Sequence, residues 1–232
     1  MWRSERVPAE IVDLGRMDYA TAWDLMREKR RERKEGRIPD TLLLVEHPHV
    51  VTVGVQGGET ADDIDGAPVY HVERGGLATY HGPGQVVGYP IVDLTPRGRD
   101  VRAFVHDLEE MVVQALRPFG IEGRRVEGKR GVWVGDRKIC SVGIAVQDWV
   151  TFHGFALNVS TDLSWFEKIH PCGFEGKVMT SMEVVLQHGV AINPVRIALQ
   201  SAFLHWTIES PAEELTNVAP ESTRVSPKFP SG

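Results

Sequence analysis

One cysteine and one lysine in this sequence form a pair that could carry out nucleophilic chemistry. Cys172 lies between Pro171 and Gly173, and this combination predicts a sharp turn that presents the thiol to a substrate. A cysteine becomes a useful nucleophile only as its thiolate, which a nearby ammonium group stabilises. Lys138 is the candidate for that ammonium. The alternative is that Cys172 is a small buried hydrophobe and Lys138 a solvated strand end.

The elements that must position this pair begin with a predicted β-hairpin. Apolar residues recur along 139–144 and again along 150–157, which is typical of two strands joined by a turn near 147–148. Lys138 would then stand near one end of the hairpin, and Cys172 would lie in a loop beyond its second strand.

A glycine-rich stretch from Arg74 to Gln85 predicts a loop that approaches a ligand closely. Its four glycines and one proline disfavour a helix or a central strand. Exposed glycine amides bind oxyanions or phosphates, and Arg74 could add positive charge. The stretch is neither a Walker A loop nor a GxGxxG motif that opens a helix. The alternative is a turn-rich hairpin whose glycines serve only the backbone.

The remaining pattern predicts one α/β (α+β) domain over residues 1–210, with a mixed, non-barrel sheet flanked by helices. Further strands are predicted at 9–15, 41–46, 50–55, 67–72, 86–94, 121–127 and 131–134. Asp18 and Asp100 should cap two amphipathic helices, and a short helix is expected at 182–187. A later helix should begin at Asn193-Pro194. Residues 211–232 contain four prolines and little apolar content, which predicts a flexible C-terminal tail.

The first helix ends in a strongly charged run from Arg27 to Arg37, with seven basic and three acidic residues. One interpretation is a solvated helix end whose cations interact favourably with the helix dipole. The other is a docking patch for an acidic protein.

Composition narrows the classes of function. The chain has 232 residues, 42% of them hydrophobic, and a formal net charge of −6, which gives no general electrostatic case for nucleic acid or an anionic membrane. Two cysteines and the lack of a long uncharged apolar run favour a reducing cytoplasm. A disulfide between Cys140 and Cys172 is disfavoured there. No CxxC or HExxH pattern is present, so no metal site is expected.

Five blocks of sequence resemble the family of lipoyl(octanoyl) transferases, in the same order and at consistent spacing over about 9–206. The blocks are Arg74-Gly75-Gly76-x-x-Thr79-Tyr80-His81-Gly82-Pro83-Gly84-Gln85, Lys138-Ile139-Cys140-Ser141-Val142-Gly143, His153-Gly154-Phe155-Ala156-Leu157-Asn158, Pro171-Cys172-Gly173 and Thr180-Ser181. The resemblance implies the fold of biotin and lipoate protein ligases, with an acyl-binding tunnel on the sheet. It also implies transfer of an octanoyl (or lipoyl) group from acyl carrier protein to a lysine of lipoyl domains, the first step of endogenous protein lipoylation. The donor would be octanoyl-acyl carrier protein, and no cofactor would be needed. The acceptors would be the lipoyl domains of 2-oxoacid dehydrogenases and the glycine cleavage H protein.

By position, the resemblance implies that Cys172 forms an acyl thioester and that Lys138 lowers its pKa. The implied substrate-binding residues are Arg74, Gly75, Gly76, Leu77, Ala78, Thr79, Tyr80, His81, Ser141, Val142, Gly143, Gly154, Phe155 and Ala156. His81 and His153 would either orient the site or only satisfy hydrogen bonds. Two departures from the family pattern, His170 and Val51, concern the pocket and not the pair.

The chemistry of this pair is consistent with its residue types. A thioester is already activated, so exchange onto Cys172 needs no ATP, and a neutral Lys138 could then deprotonate the incoming amine. That role requires a lowered pKa, which partial burial would provide. An ATP-dependent lipoate or biotin protein ligase is the rival enzyme, but it leaves Cys172 without a task. A non-catalytic module that binds a carrier protein through Arg27 to Arg37 is the rival from another class.

Overall fold

The computed structural model describes residues 9–57, 61–169 and 178–209. Cys172 and the tail predicted over 211–232 lie outside the described residues. The strands are β1 Ala9–Arg16, β2 Asp40–Glu46, β3 Val50–Val53, β4 Asp63–Ile64, β5 Ala67–His71, β6 Ala78–His81, β7 Gln85–Ile91, β8 Arg124–Val126, β9 Lys129–Val134, β10 Arg137–Gln147 and β11 Val150–Asn158. The helices are α1 Tyr19–Lys34, α2 Val101–Leu116, α3 Trp165–Lys168, α4 Met182–Leu186 and α5 Ile192–Glu209.

The described strands form two mixed sheets. The larger has seven strands in the order β1-β2-β7-β11-β10-β9-β8, in which β1 and β2 are parallel and the other pairs antiparallel. The smaller has four strands in the order β4-β5-β3-β6. The predicted mixed α/β architecture is therefore confirmed, whereas the second sheet was not predicted. None of the described helices has the length and apolar character needed to cross a membrane.

Helices cover both faces of the large sheet, and β2 shows why. Leu42 and Leu44 pack into the core formed with α2 and α5, whereas Leu43 and Val45 pack into the core formed with α1. Alternate side chains of a strand point to opposite faces, so a strand buried on both sides must be apolar throughout. The sequence prediction of such a strand at 41–46 is confirmed.

The predicted caps are confirmed for the two long amphipathic helices. Asp18 accepts a hydrogen bond from the Thr21 amide at 2.9 Å, and Asp100 accepts hydrogen bonds from two amides of the first turn of α2. The start of α5 was predicted too late, because the helix begins at Ile192 and Pro194 lies within its first turn. A proline is tolerated there, since the first amides of a helix have no partner within the helix.

The β10–β11 hairpin is confirmed, and its turn is formed by Asp148 and Trp149, both with positive φ. This backbone is the usual one for a two-residue hairpin turn. The prediction of a loop throughout 74–85 was wrong over Ala78–His81, which form the edge strand β6 beside β3. The cause is tertiary, because β3 supplies the backbone partners that the local sequence does not reveal.

Candidate active site

A cavity of about 340 Å³ lies where the β10–β11 hairpin meets the glycine-rich stretch. It is lined by these residues of the sequence prediction: Arg74, Gly75, Gly76, Leu77, Ala78, Thr79, His81, Lys138, Ser141, Val142, Gly143, His153, Gly154, Phe155 and Ala156. The two strands of the β10–β11 hairpin and the distant glycine-rich stretch therefore converge on one space. Substrate binding by these residues stays a prediction.

Tyr80 is the one predicted substrate-binding residue of the described set that does not line this cavity. Its ring stacks on Trp165 at a centroid distance of 5.1 Å, and its hydroxyl lies 2.8 Å from His49 Nδ1. The reason is the alternation of β6, which directs Thr79 and His81 to one face and Tyr80 to the other.

Lys138 lies at the start of β10, next to an irregularity in its pairing with β9. A Cβ atom at Gly131 would collide with the carbonyl oxygen of Cys140, and Gly131 has a φ of +102°, which favours glycine. Such bulges reorient nearby side chains. The Lys138 ammonium lies 5.2 Å from the centroid of the Trp133 ring. Burial lowers the pKa of Lys138, as predicted for a residue that acts as a base.

The described residues that flank the Cys172 segment lie at the cavity. Ile169 precedes that segment, Val178 and Met179 follow it, and all three line the cavity. Met179 forms a β-bridge with Lys138, and the next amide, that of Thr180, donates to the Lys138 carbonyl at 2.9 Å. The residues on both sides of the segment that contains Cys172 therefore lie at the cavity, and those that follow it are held beside the candidate base.

Cys140, the other cysteine, is a free and fully buried thiol in the core. Burial raises its pKa well above the usual range, so this thiol stays protonated. The structure therefore places Cys140 as a packing residue, with no disulfide to any residue that it describes.

Hydrogen bonds to other parts of the protein hold the start of the glycine-rich loop in place. The Gly75 amide donates to the Ile144 carbonyl at 2.9 Å and is not free for the oxyanion role that we predicted for such amides. The buried Arg74 guanidinium donates to the carbonyl and hydroxyl oxygens of Thr52 at 2.7 and 2.9 Å. A Cβ at Gly54 would collide with the Arg74 and Gly76 carbonyls, so this glycine permits the loop to pack on β3. Burial lowers the pKa of Arg74.

His81 is held in one tautomer by a chain of amides. The Thr180 carbonyl accepts from Asn158 Nδ2 at 3.0 Å, Asn158 Oδ1 accepts from Gln85 Nε2 at 2.9 Å, and Gln85 Oε1 lies 2.8 Å from His81 Nδ1. A carbonyl only accepts, so each amide is oriented in turn, and Nδ1 of His81 must carry the proton. Burial lowers the pKa of His81 to about 3, which keeps the ring neutral.

His153 joins two residues that the sequence did not point to. Its Nε2 lies 3.3 Å from Glu73 Oε2, and its Nδ1 lies 3.5 Å from the Tyr19 hydroxyl. The hydrogen bond to His153 is the main cause that lowers the pKa of Glu73, while burial lowers the pKa of His153 itself. Both ring nitrogens thus have protein partners, and His153 has an unusual positive φ of 55°.

Sequence reasoning also missed the cavity-lining residues Lys129, Arg130 and Trp133. No sequence signal linked Glu73 or Tyr19 to His153, because long stretches of chain separate them. Lys129 and Arg130 did carry a signal, since residues 124–138 contain six basic and two acidic residues in a chain of net charge −6. The possible role in docking an acidic protein was instead assigned to the denser basic run that ends α1.

Known proteins resemble this chain in sequence and in fold. The family model of the lipoyl protein ligase A/B catalytic domain matches residues 18–204. A protein of Rubrobacter xylanophilus named octanoyltransferase is 47% identical over 198 residues, which are 82% of this chain and 89% of that protein. A structure of lipoate-protein ligase A bound with ATP has a TM-score of 0.66 at 19% identity and covers 85% of each chain. A biotin protein ligase from Aquifex aeolicus with biotin and ATP has a TM-score of 0.54 at 11% identity and covers 88% of this chain and 72% of that one.

Proposed function

The chain belongs to the lipoyl protein ligase A/B catalytic domain family, and we infer that it is an acyltransferase that moves an octanoyl group in protein lipoylation. The donor in this proposal is octanoyl-acyl carrier protein, and the acceptor is a lysine of a lipoyl domain. We place the reaction in the cytoplasm. Cys172 is the proposed nucleophile and Lys138 the proposed base.

One observation carries the assignment of the pair. The residues on either side of the Cys172 segment line the same cavity as Lys138, and Met179 is bridged to Lys138 itself. A lysine in this position with a lowered pKa can accept the proton of a thiol or an amine near neutral pH more readily than an ordinary lysine can. Cys140 is the weaker candidate for the nucleophile, because burial raises the pKa of its thiol and so disfavours the thiolate.

The first half-reaction transfers the acyl group to the enzyme. Lys138 takes the proton from Cys172, and the resulting thiolate attacks the carbonyl carbon of the donor thioester. A new carbon–sulfur bond forms to Cys172 while the bond to the donor sulfur breaks. The donor thiolate then takes the proton from Lys138 and leaves as a thiol, so the base is neutral again.

The second half-reaction forms an amide. The acceptor lysine first loses one proton from its ammonium group to water and then attacks the same carbonyl carbon as a neutral amine. The bond to Cys172 breaks, and the second proton of the attacking nitrogen passes through Lys138 to the released thiolate. Val87 and Ala156, which line the cavity and lie on the face of the sheet that packs on α1, are proposed to hold the acyl chain. Each methylene that they bury would contribute about 0.8 kcal/mol to binding.

The test is intact-protein mass spectrometry after mixing the enzyme with an octanoyl thioester donor and no ATP. We expect one octanoyl adduct, mapped to the peptide that contains Cys172 and discharged when a lipoyl domain is added. Cys172→Ala should form no adduct and transfer no acyl group.

Cys140→Ala is the matched control, and it should acylate as the wild type does. An adduct on Cys140 would contradict the assignment of the nucleophile. Transfer that requires ATP and leaves Cys172 unmodified would favour the adenylating ligase, whose solved relatives share the fold.

A further inference from the structure

The β8–β9 region carries an unusual local charge. Residues 124–138 contain six basic and two acidic residues, although the whole chain has a net charge of −6. Lys129 and Arg130 begin β9 and are both exposed. Within the part of the chain that the structure describes, no ion pair involves either side chain. Glu109, which interacts electrostatically with Arg130, is buried and accepts a hydrogen bond from the Gly131 amide at 2.6 Å.

These two cations stand at the rim of the cavity. Lys129 and Arg130 line it while remaining exposed, so they border its opening. An Arg130 nitrogen lies 3.6 Å from the position of a Cβ on Gly75, which places the guanidinium over the glycine-rich loop. The Lys129 ammonium lies 5.1 Å from the centroid of the Trp133 ring, over which the Lys138 ammonium also lies.

From this arrangement we propose that Lys129 and Arg130 form the docking surface for an acidic protein that delivers the acyl thioester. The inference rests on the proposed function, because it concerns the donor of that reaction. A cationic rim attracts an acidic carrier and speeds its encounter with the cavity. The carrier's reacting group is a neutral thioester, so the two cations do not repel it.

The acceptor fits this surface less well than the donor does. Its reacting group is a lysine, which arrives as an ammonium in water and would be repelled by Lys129, Arg130 and the buried guanidinium of Arg74. The donor therefore fits this surface better, because the carrier is acidic and its thioester is uncharged.

The experiment compares two donors with one double variant, Lys129→Glu/Arg130→Glu. One donor is octanoyl-acyl carrier protein, and the other is octanoyl-N-acetylcysteamine, a small neutral thioester. The readout is the ratio of kcat/KM for the two donors, because any effect on chemistry at Lys138 is common to both. We expect the ratio to fall about 10- to 100-fold, and the activity with the protein donor to lose most of its salt dependence.

Two further variants make the test specific. Arg31→Glu/Lys34→Glu changes the net charge equally at exposed positions of α1 and should leave the ratio unchanged. Lys129→Gln/Arg130→Gln should give a smaller loss in the same direction, and circular dichroism would establish that each variant is folded.

An unchanged ratio in both rim variants would overturn the inference, as would an equal fall in the Arg31→Glu/Lys34→Glu control. A loss that appears only when the acceptor concentration is varied would assign the surface to the acceptor and overturn the choice of donor. A wild-type enzyme that uses neither donor would instead refute the acyl transfer itself.

Discussion

Two segments of this protein are rich in basic residues but lie in different environments. In the run from Arg27 to Arg37, most cations form ion pairs within the protein. Arg30 pairs with Asp148 at 3.1 Å and Arg33 with Asp40 at 2.8 Å. None of the run's cations lies among the described residues that line the cavity. In the β8–β9 region, Lys129 and Arg130 face the cavity without ion pairs among the described residues.

The difference shows that the density of basic residues does not by itself indicate a docking site. Asp40 is almost fully buried, and its carboxylate needs the guanidinium groups of Arg33 and Arg97 beside it. A cation that is paired with a buried carboxylate is not available to form an ion pair with a partner protein. Reversing the charge of Arg30 and Arg33, as a test of carrier docking, would therefore chiefly disturb the fold.

The largest loss of activity is expected when Lys138, the proposed base that lines the cavity, is substituted. Lys138→Met should lower the rate of octanoyl transfer about 10²- to 10⁴-fold, because the proposed base is lost. Lys138→Arg should do the same, since a guanidinium does not accept a proton at working pH. In both variants the rise of kcat/KM with pH, which follows deprotonation of the base, should disappear.

Lys29→Met on α1 is the matched control, and its transfer rate should stay within about twofold of the wild type. Lys29 lies outside the cavity lining and forms an ion pair with Glu32, one turn along the same helix. Wild-type rates in Lys138→Met would show that Lys138 is not the base, and the two basic segments would then not differ in their role in catalysis.

A smaller effect is expected at Arg33, and it should appear in stability instead of activity. Arg33→Ala removes one of two guanidinium partners of the buried Asp40 carboxylate, while Arg97 remains at 3.1 Å. We expect a loss of about 2–3 kcal/mol in the free energy of unfolding, below the 3–5 kcal/mol typical when a buried charge loses its only partner. Urea unfolding measures it. Lys34→Ala, at an exposed position, should change it by less than about 0.5 kcal/mol; equal losses in the two variants would contradict the structural role of Arg33.

The smallest expected effect is a pair of opposite shifts in the pH profile. The charge of Lys129 lowers the pKa of Lys138, and the charge of Glu109 raises it. Lys129→Ala should therefore move the rising limb of kcat/KM to higher pH, and Glu109→Gln should move it to lower pH. The neutral small thioester is the suitable donor for this measurement, because it does not depend on docking. Shifts in the same direction in both variants would show that Lys138 does not set this limb.

Local pattern was sufficient for much of the fold. The apolar run at 41–46 predicted a strand buried on both faces, and Asp18 and Asp100 predicted two helix starts, because burial and capping depend on residues close together in the sequence. The order of the motif blocks also indicated the family and the residues that meet at the cavity. The expectation that Lys138 is partly buried with a lowered pKa followed from the chemistry required of a base, and burial does lower that pKa.

Only the tertiary structure decided which charges are neutralised and which face a ligand. Glu73 meets His153, Arg33 meets Asp40 and Met179 meets Lys138 through contacts between distant parts of the chain. The edge strand β6 exists because β3 lies beside it, and the tautomer of His81 follows from an amide chain that ends at Thr180. Sequence periodicity records how a residue relates to its neighbours along the chain, whereas these features depend on where the fold brings separate segments together.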